Sequence, residues 1–242
     1  MNLSAKAFRT DSGSVLPARL GNCALAGYYL GMATSSNKIW QALATMAVVI
    51  AFIIGILRTL TSLGETQSSA REKNLDPIIA KASARHGVPV ALIKAVIWKE
   101  SRFNAREIGG KGEIGLMQIT PGAVEEWRRA NRQSALDRRR LTDPEVNIEI
   151  GAWYLAWTAR HWQDYTSKDI LQLAEYNAGY GRVSKLWKPA DPKQEITIDD
   201  ISFPGTRSYI KQVLKRRQFY EQQHLDDQSK QPAATPSAAP PS

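Results

Sequence analysis

The chain has 242 residues and a formal net charge of +9, with 32 Lys and Arg against 23 Asp and Glu. That length holds one globular domain plus appendages. The charge favours anionic partners such as nucleic acid, a phospholipid surface or an acidic polymer. Cys23 is the only cysteine, which excludes an intrachain disulfide and leaves stability to packing.

Residues 1–37 form a basic segment without a strong period, carrying Lys6, Arg9 and Arg19 against Asp11. Leu20-Gly21-Asn22-Cys23 is a faint match to a lipoprotein cleavage site. Asn22 fits poorly before the cysteine and a longer apolar run follows, so lipidation is not expected. Met32 is an alternative start. Residues 38–58 read as a transmembrane anchor: Ile39 to Leu57 is uncharged and bracketed by Lys38 and Arg58. A bilayer-spanning helix needs ~20 such residues. The competing reading is a cleaved signal peptide, whose apolar core is normally ~7–15 residues and ends at small residues. Thr59-Leu60-Thr61-Ser62-Leu63 offers no such site. Positive residues before the span outnumber those just after it, which predicts an N-terminus in the cytoplasm.

Residues 59–74 read as a Ser/Thr/Gly-rich linker. From residue 75 to 225 the pattern is helical. Asp76-Pro77 predicts a capped helix to about His86, stopped by Gly87. Pro89 opens the next helix, and Gly109-Gly110-Lys111-Gly112 is a flexible loop. Thr120-Pro121 and Asp143-Pro144 each start a capped helix, the second reaching about Trp162 with Ile150, Trp153, Tyr154 and Trp157 inside. A short helix starting at Ser167 or Asp169 ends near Asn177-Ala178-Gly179. Gln194 to Ile198 is expected to be a brief strand. Thr206 is expected to cap a last helix with Tyr209, Ile210, Val213 and Leu214 inside. Residues 226–242, rich in Gln, Pro, Ala and Ser, are expected to be a disordered tail.

One helix stands out chemically. Ile93, Val96 and Ile97 fall at i, i+3 and i+4 on one apolar stripe, and the i+7 position is Glu100. A carboxyl there loses solvation and its pKa should rise, as a general acid requires. The alternative is a Glu turned outward or paired with Lys99 or Arg102. Downstream, Gly115-Leu116-Met117-Gln118 combines a glycine for close backbone approach, an adaptable apolar side chain and an amide. Taken alone, Met117 fits a core equally well. Ala174-Glu175-Tyr176-Asn177-Ala178-Gly179 ends a helix, where Asn and Gly are ordinary capping residues. Tyr176 suits a core or a sugar platform.

In this order and spacing the motifs are far more specific. Together with Glu100-Ser101 and Thr206-Arg207-Ser208-Tyr209-Ile210, they make residues 75–225 resemble the family 1 lytic transglycosylases, the soluble-transglycosylase-like catalytic domain. The resemblance implies a mainly α, lysozyme-like fold (α+β with minimal strand). It implies a bacterial enzyme cutting the β-1,4 bond between N-acetylmuramic acid and N-acetylglucosamine in peptidoglycan. Glu100 would protonate the leaving oxygen and then act as base on the muramoyl C6 hydroxyl, which attacks C1 to give a 1,6-anhydro product. One carboxylate then suffices, an exception to the usual pair. Ser101 would orient Glu100 or contact the sugar. Gly115, Met117, Gln118, Tyr176 and Asn177 would form the substrate site, with Tyr209 approaching Glu100 from the last helix. With the anchor, the resemblance places the domain in the periplasm, held to the inner membrane, with an envelope or secretion apparatus as a candidate partner.

Two departures qualify this. The Glu that usually precedes Thr-Arg-x-Tyr is Gly205 here, so no second-carboxylate role falls on it. Glu113 and Glu175 occupy positions that are commonly small; each reads as a surface residue, or as a cleft residue supplying the base for a hydrolytic variant. The run Arg128, Arg129, Arg132, Arg138, Arg139 and Arg140 reads first as a solvated face. Attraction to wall or membrane comes second and nucleic acid a poor third, since no base-reading module is visible. No zinc-ligand spacing, phosphate loop or nucleotide fingerprint occurs, so neither metal nor cofactor is expected. His86, His161 and His224 show no partner pattern and read as incidental. The competing functions are a goose-type-lysozyme-like muramidase that uses water and a catalytically silent glycan-binding scaffold.

Overall fold

The computed structural model describes residues 23–230. The residues before Cys23, with most of the basic N-terminal segment, and the tail beyond Lys230 lie outside the described residues. The chain divides into two units, Met1–Ser62 and Leu63–Ser242. In the first, Asn37–Leu60 is a 24-residue helical stretch of mean hydropathy 2.3. It is long and apolar enough to cross a bilayer.

The second unit is helical. Its elements are the end of α1 (Cys23–His86), α2 (Val90–Ser101), α3 (Pro121–Ala130), α4 (Pro144–His161), α5 (Lys168–Ala178), α6 (Tyr180–Leu186) and α7 (Pro204–Lys230), with 3₁₀ turns at Arg138–Thr142 and Ile198–Asp200. Among the described residues β structure is limited to isolated bridges, Ile108 to Ile114 and Ile114 to Ile119. The lysozyme-like, mainly α class expected from the sequence is the class observed.

The boundaries follow sequence chemistry at most points. Gly87 takes φ 68° and ends α1. The Thr120 hydroxyl accepts from the Ala123 N–H, and the Asp143 carboxylate from the Glu145 N–H, each with proline at the helix start. Four expectations change. Residues 59–74 are helical rather than an irregular linker. They hold a single glycine, and Gln67, Ala70, Arg71, Glu72 and Lys73 are strong helix formers. Pro77 consequently lies inside α1 instead of opening a helix. Gln194 to Ile198 forms no strand: among the described residues no backbone segment pairs with it, and the Ile196 N–H and carbonyl both bond to the Ser167 hydroxyl. Finally, α7 starts at Pro204 and continues to Lys230, so Thr206 lies within the helix and residues 226–230 are helical.

α2 is the centre of this unit. Ile93, Ala95, Val96 and Ile97 are fully buried and Leu92 nearly so. They meet Ile210, Val213 and Tyr209 of α7, Ile148, Ile150 and Leu155 of α4, and Leu171, Leu173 and Ala174 of α5 in one core. Truncating a buried Ile in such a core typically costs about 2–5 kcal/mol. Polar ties fix the frame. Lys94 Nζ lies 3.0 Å from Glu72 and 2.8 Å from Asp76 of α1, and the Tyr220 hydroxyl donates to Glu72 at 3.1 Å. Arg217 of α7 reaches Asp169 of α5 at 3.1 Å. The result holds the C-terminal end of α2, and Glu100 with it, in a fixed place.

Candidate active site

Glu100 projects from the last turn of α2 and is half-buried, continuing the stripe of Ile93, Val96 and Ile97. Burial pushes its pKa up to about 7. The Tyr209 hydroxyl and the Lys99 charge oppose that rise, while the Glu113 charge adds to it. Glu100 therefore keeps its proton well into the range where an ordinary carboxylic acid has lost it. The Tyr209 hydroxyl is itself buried and lies against the Glu100 carboxyl, yet it reaches full hydrogen-bond geometry with no described atom. A buried hydroxyl left unsatisfied in this way is uncommon outside functional sites.

Opposite Glu100 lies the loop after α2. Its bridges and the bonds from Gly109 N–H to Glu113 carbonyl and from Gly115 N–H to Glu107 carbonyl, both 2.8 Å, fold it tightly on itself. Gly115 takes φ 84°, and a Cβ there would collide with Asn147 and the Leu141 carbonyl. Gly115 thus serves close packing beneath the cleft rather than direct contact with a ligand. Gln118 sits at φ 48°, an uncommon left-handed position for a residue of its kind. Its amide nitrogen donates to the Gly115 carbonyl at 2.9 Å and the Glu107 carbonyl at 3.2 Å. Its Oε1 and the Glu113 Oε2 crowd one point beside Gly109, 2.7 and 2.6 Å from where a Cβ on that glycine would sit. Glu113 is half-buried, its Oε2 accepting from the Lys111 N–H at 2.9 Å. It is neither fully exposed nor among the residues lining the cleft beside Tyr209, and its charge is felt at Glu100.

The third side comes from α5 and α7. The Tyr176 hydroxyl donates to the Met117 carbonyl at 2.9 Å, joining the end of α5 to the loop. Burial first, and the Glu100 charge next, hold the Tyr176 pKa well above its ordinary value, so it stays a neutral donor. Asn177 is exposed, and its Oδ1 accepts from the Thr206 hydroxyl at 2.8 Å, tying α5 to α7. Gly179, at φ 85°, lets the chain leave α5.

The structure thus brings Tyr209, Tyr176 and Glu113 to the Glu100 acid, with Gln118 beside Glu113 and Asn177 on the cleft that Tyr209 lines. Like Gly115, two further expected contact residues face elsewhere. Met117 is fully buried against Gly151. Ser101 is buried and donates to the Leu116 carbonyl at 2.8 Å, so it braces α2 against the loop. Asn147, absent from the sequence reading, anchors the loop from below. Its Oδ1 accepts from the Met117 N–H at 2.8 Å, and its Nδ2 donates to the Ile114 and Leu141 carbonyls at 2.9 and 2.8 Å. The one available signal was its place three residues before Ile150, on the face of the helix expected to be buried.

Glu175 also changes character. It is neither a surface residue nor a cleft base: it is buried, with its carboxylate on His161 Nδ1 at 2.9 Å and accepting from Trp162 Nε1 at 2.7 Å. Burial pushes its pKa up, and these two partners pull it down. His161 is therefore not incidental, and neither is His86, whose Nε2 lies 3.0 Å from Glu149. Of the arginine run, Arg128 and Arg129 pair with Glu125 and Arg139 with Asp137, as a solvated face should.

Residues 77–198 match the family described as Transglycosylase SLT domain. A membrane-bound lytic murein transglycosylase C of Serratia proteamaculans is 32% identical over 135 residues, covering 53% of this chain and 37% of the relative. A membrane-bound lytic murein transglycosylase E of Buchnera aphidicola is 28% identical over 145 residues, covering 59% of this chain and 66% of the relative. The crystal structure of an inactive Glu-to-Gln mutant of the lytic transglycosylase Slt from Pseudomonas aeruginosa superposes with a TM-score of 0.55 at 28% identity, over 62% of this chain and 24% of that one. The chain thus spans about a third to two thirds of the length of these curated relatives. With half of its residues matched and a helical frame shared with a solved member, the chain belongs to the transglycosylase SLT domain family.

Proposed function

We propose that this protein is a membrane-anchored peptidoglycan lytic transglycosylase. The observation that carries the proposal is Glu100: a half-buried carboxyl with no ion-pair partner among the described residues, protonated to about pH 7 and flanked by two neutral tyrosines. At neutral pH about half of such groups hold the proton that cleavage of a glycosidic bond requires. Once Glu100 gives that proton to the leaving oxygen, the Tyr209 hydroxyl and Lys99 stabilise the carboxylate that remains. The carboxylate then takes the proton of the muramoyl C6 hydroxyl as that oxygen attacks C1. The glycosidic bond breaks, a 1,6-anhydro ring forms, and Glu100 ends protonated again.

Incubating the purified chain with peptidoglycan sacculi tests the reading. Release of soluble muropeptides is expected; sacculi bound but left intact would favour the silent scaffold.

The relatives' membrane-bound names and the apolar stretch Asn37–Leu60 support anchoring. The basic flank supports a cytoplasmic N-terminus, a single pass of the inner membrane and a periplasmic catalytic unit. The protein should stay in the membrane fraction after an alkaline wash, and a periplasm-active reporter fused after Leu225 should function. A shortened, released protein would mean that the span is a cleaved signal.

A further inference from the structure

A cleft of about 430 Å³ opens at Tyr209, the residue whose hydroxyl lies against Glu100, and its lining includes Lys99, Lys111 and Arg182 with Asn177 and Phe203. No Asp or Glu lines it. At the position where an acid is usual in the family, the chain has Gly205, with open space where a Cβ would sit. The three cations come from three separate segments: the end of α2, the loop after it, and α6. None has a carboxylate partner among the described residues. Lys99 Nζ lies 5.9 Å from the centre of the Tyr209 ring, and the Arg182 guanidinium 5.9 Å from that of Phe203. Arg182 also reaches the Ala178 carbonyl at 3.4 Å. These contacts give Lys99 and Arg182 neighbours without neutralising them, and Lys111 stands exposed at the rim. Elsewhere in the same unit Lys94, Arg85, Arg128, Arg139 and Arg217 all sit on carboxylates.

Free positive charge is a poor neighbour for this chemistry. Glycosidic cleavage passes through an oxocarbenium-like transition state that is itself positive. Lys99 already lowers the pKa of the acid that must stay protonated. Lys99 can at least serve the Glu100 carboxylate once its proton is given away, but Lys111 and Arg182 meet no anion among the residues lining the cleft.

We infer that Lys99, Lys111 and Arg182 form a subsite for a carboxylate carried by the substrate beside the bond that is cut. The inference rests on the glycan-cleaving reading above and adds a substrate requirement to it. Two carboxylates of peptidoglycan qualify: those of the peptide stem attached to the muramoyl lactyl group, and the lactyl carboxylate left when the stem is removed. The stem is the better match, because it extends away from the sugar far enough to reach cations on three segments. The charge also gives the cleft a means of ranking substrates: strands bearing acidic stems bind ahead of strands whose carboxylates are masked.

The test uses the full chain and a double variant, Lys111→Gln with Arg182→Gln, leaving Lys99 beside the acid untouched. Each chain is assayed on stem-bearing strands, on amidase-stripped strands, and on stem-bearing strands with methyl-esterified carboxylates. An exposed ion pair contributes up to about 1 kcal/mol, which is about fivefold. The double variant should therefore raise KM about 5- to 25-fold on stem-bearing strands, with kcat within about twofold. It should have no effect on the esterified strands, and added salt should shrink the difference. The same loss on stripped strands would assign the anion to the lactyl carboxylate. An unchanged KM on stem-bearing strands overturns the subsite. Failure of the unsubstituted chain to cut any strand would instead overturn the enzymatic reading, and the two failures are distinguishable within one set of assays.

Discussion

Glu100 and Glu175 are two carboxyls removed from water by the same helical frame, and they are built in opposite ways. Glu175 is surrounded by donors: His161 on one side and Trp162 Nε1 on the other. Its charge is compensated, and it spans the gap between α4 and α5. Glu100 has a tyrosine hydroxyl that falls short of a full hydrogen bond and a like charge, Glu113, close enough to be felt. Burial raises the pKa of both carboxyls; the one with donors in place is a structural joint, and the one without them holds a proton it can give away. Burial alone does not mark a catalytic acid; an incomplete set of partners does.

The largest effect expected is Glu100→Gln. General acid–base catalysis contributes about 10²–10⁴-fold, and in the proposed reaction one residue serves both proton transfers, so muropeptide release should fall by at least that range. Circular dichroism should show an intact fold. The same variant has a pH-dependent effect on stability. The folded pKa of about 7 lies above the ordinary carboxyl value. The unfolded chain therefore ionises first, and Glu100 destabilises the native state progressively as pH rises from about 4.5 to about 7. Glu100→Gln should be no more stable than wild type at pH 4 and more stable at pH 8, by up to about 3 kcal/mol at 1.4 kcal/mol per unit. Equal melting temperatures at pH 8 would mean that Glu100 is not strained by burial.

Asn147→Ala comes next. It strands the Met117 N–H and two buried carbonyls, each costing about 1–3 kcal/mol, so thermal or urea unfolding should reveal a loss of about 3 kcal/mol or more. The cleft loop should loosen with it and activity should fall. A near-neutral result would show that the loop holds itself. Glu175→Gln follows, at about 1–3 kcal/mol for leaving the His161 and Trp162 donors with a poorer acceptor. In folded protein its kcat and KM should remain near wild type, and a collapse of kcat would bring Glu175 into the chemistry. The smallest effect is that of Glu113→Gln. Removing its charge lowers the Glu100 pKa, so the alkaline limb of the kcat/KM profile should move to lower pH while the maximal rate changes less than about threefold. A limb that moves upward or not at all would remove Glu113 from the electrostatics of the acid.

The sequence was legible where one segment contains its own explanation. The Glu100 stripe, the helix starts at Thr120-Pro121 and Asp143-Pro144, and the glycines at 87 and 179 are local patterns that appear where expected, whereas Asp76-Pro77 does not start a helix because α1 runs through it. Long-range partners were not legible. Asn147 gains its meaning from carbonyls and an N–H belonging to Ile114, Leu141 and Met117, and no period reveals that. His161 and Glu175 are 14 residues apart on different helices. Met117 and Ser101 carry motif identities that suggest contact with substrate, but packing assigns both to the ground beneath the cleft. Residues 59–74 read as a linker by composition, and in the structure Glu72 gains ties to Lys94 and Tyr220.

The account turns on Glu100 working alone, with the substrate's own hydroxyl as nucleophile. Mass spectrometry of muropeptides released by wild-type protein in ¹⁸O-enriched water tests this directly. The account predicts products lighter by one water than hydrolytic muropeptides, carrying no ¹⁸O at the new muramoyl end and absent from a Glu100→Gln digest. Products of full mass with ¹⁸O at that end would contradict it: water would then be the nucleophile, and Glu113, the other carboxylate whose charge reaches Glu100, the residue to examine as its base.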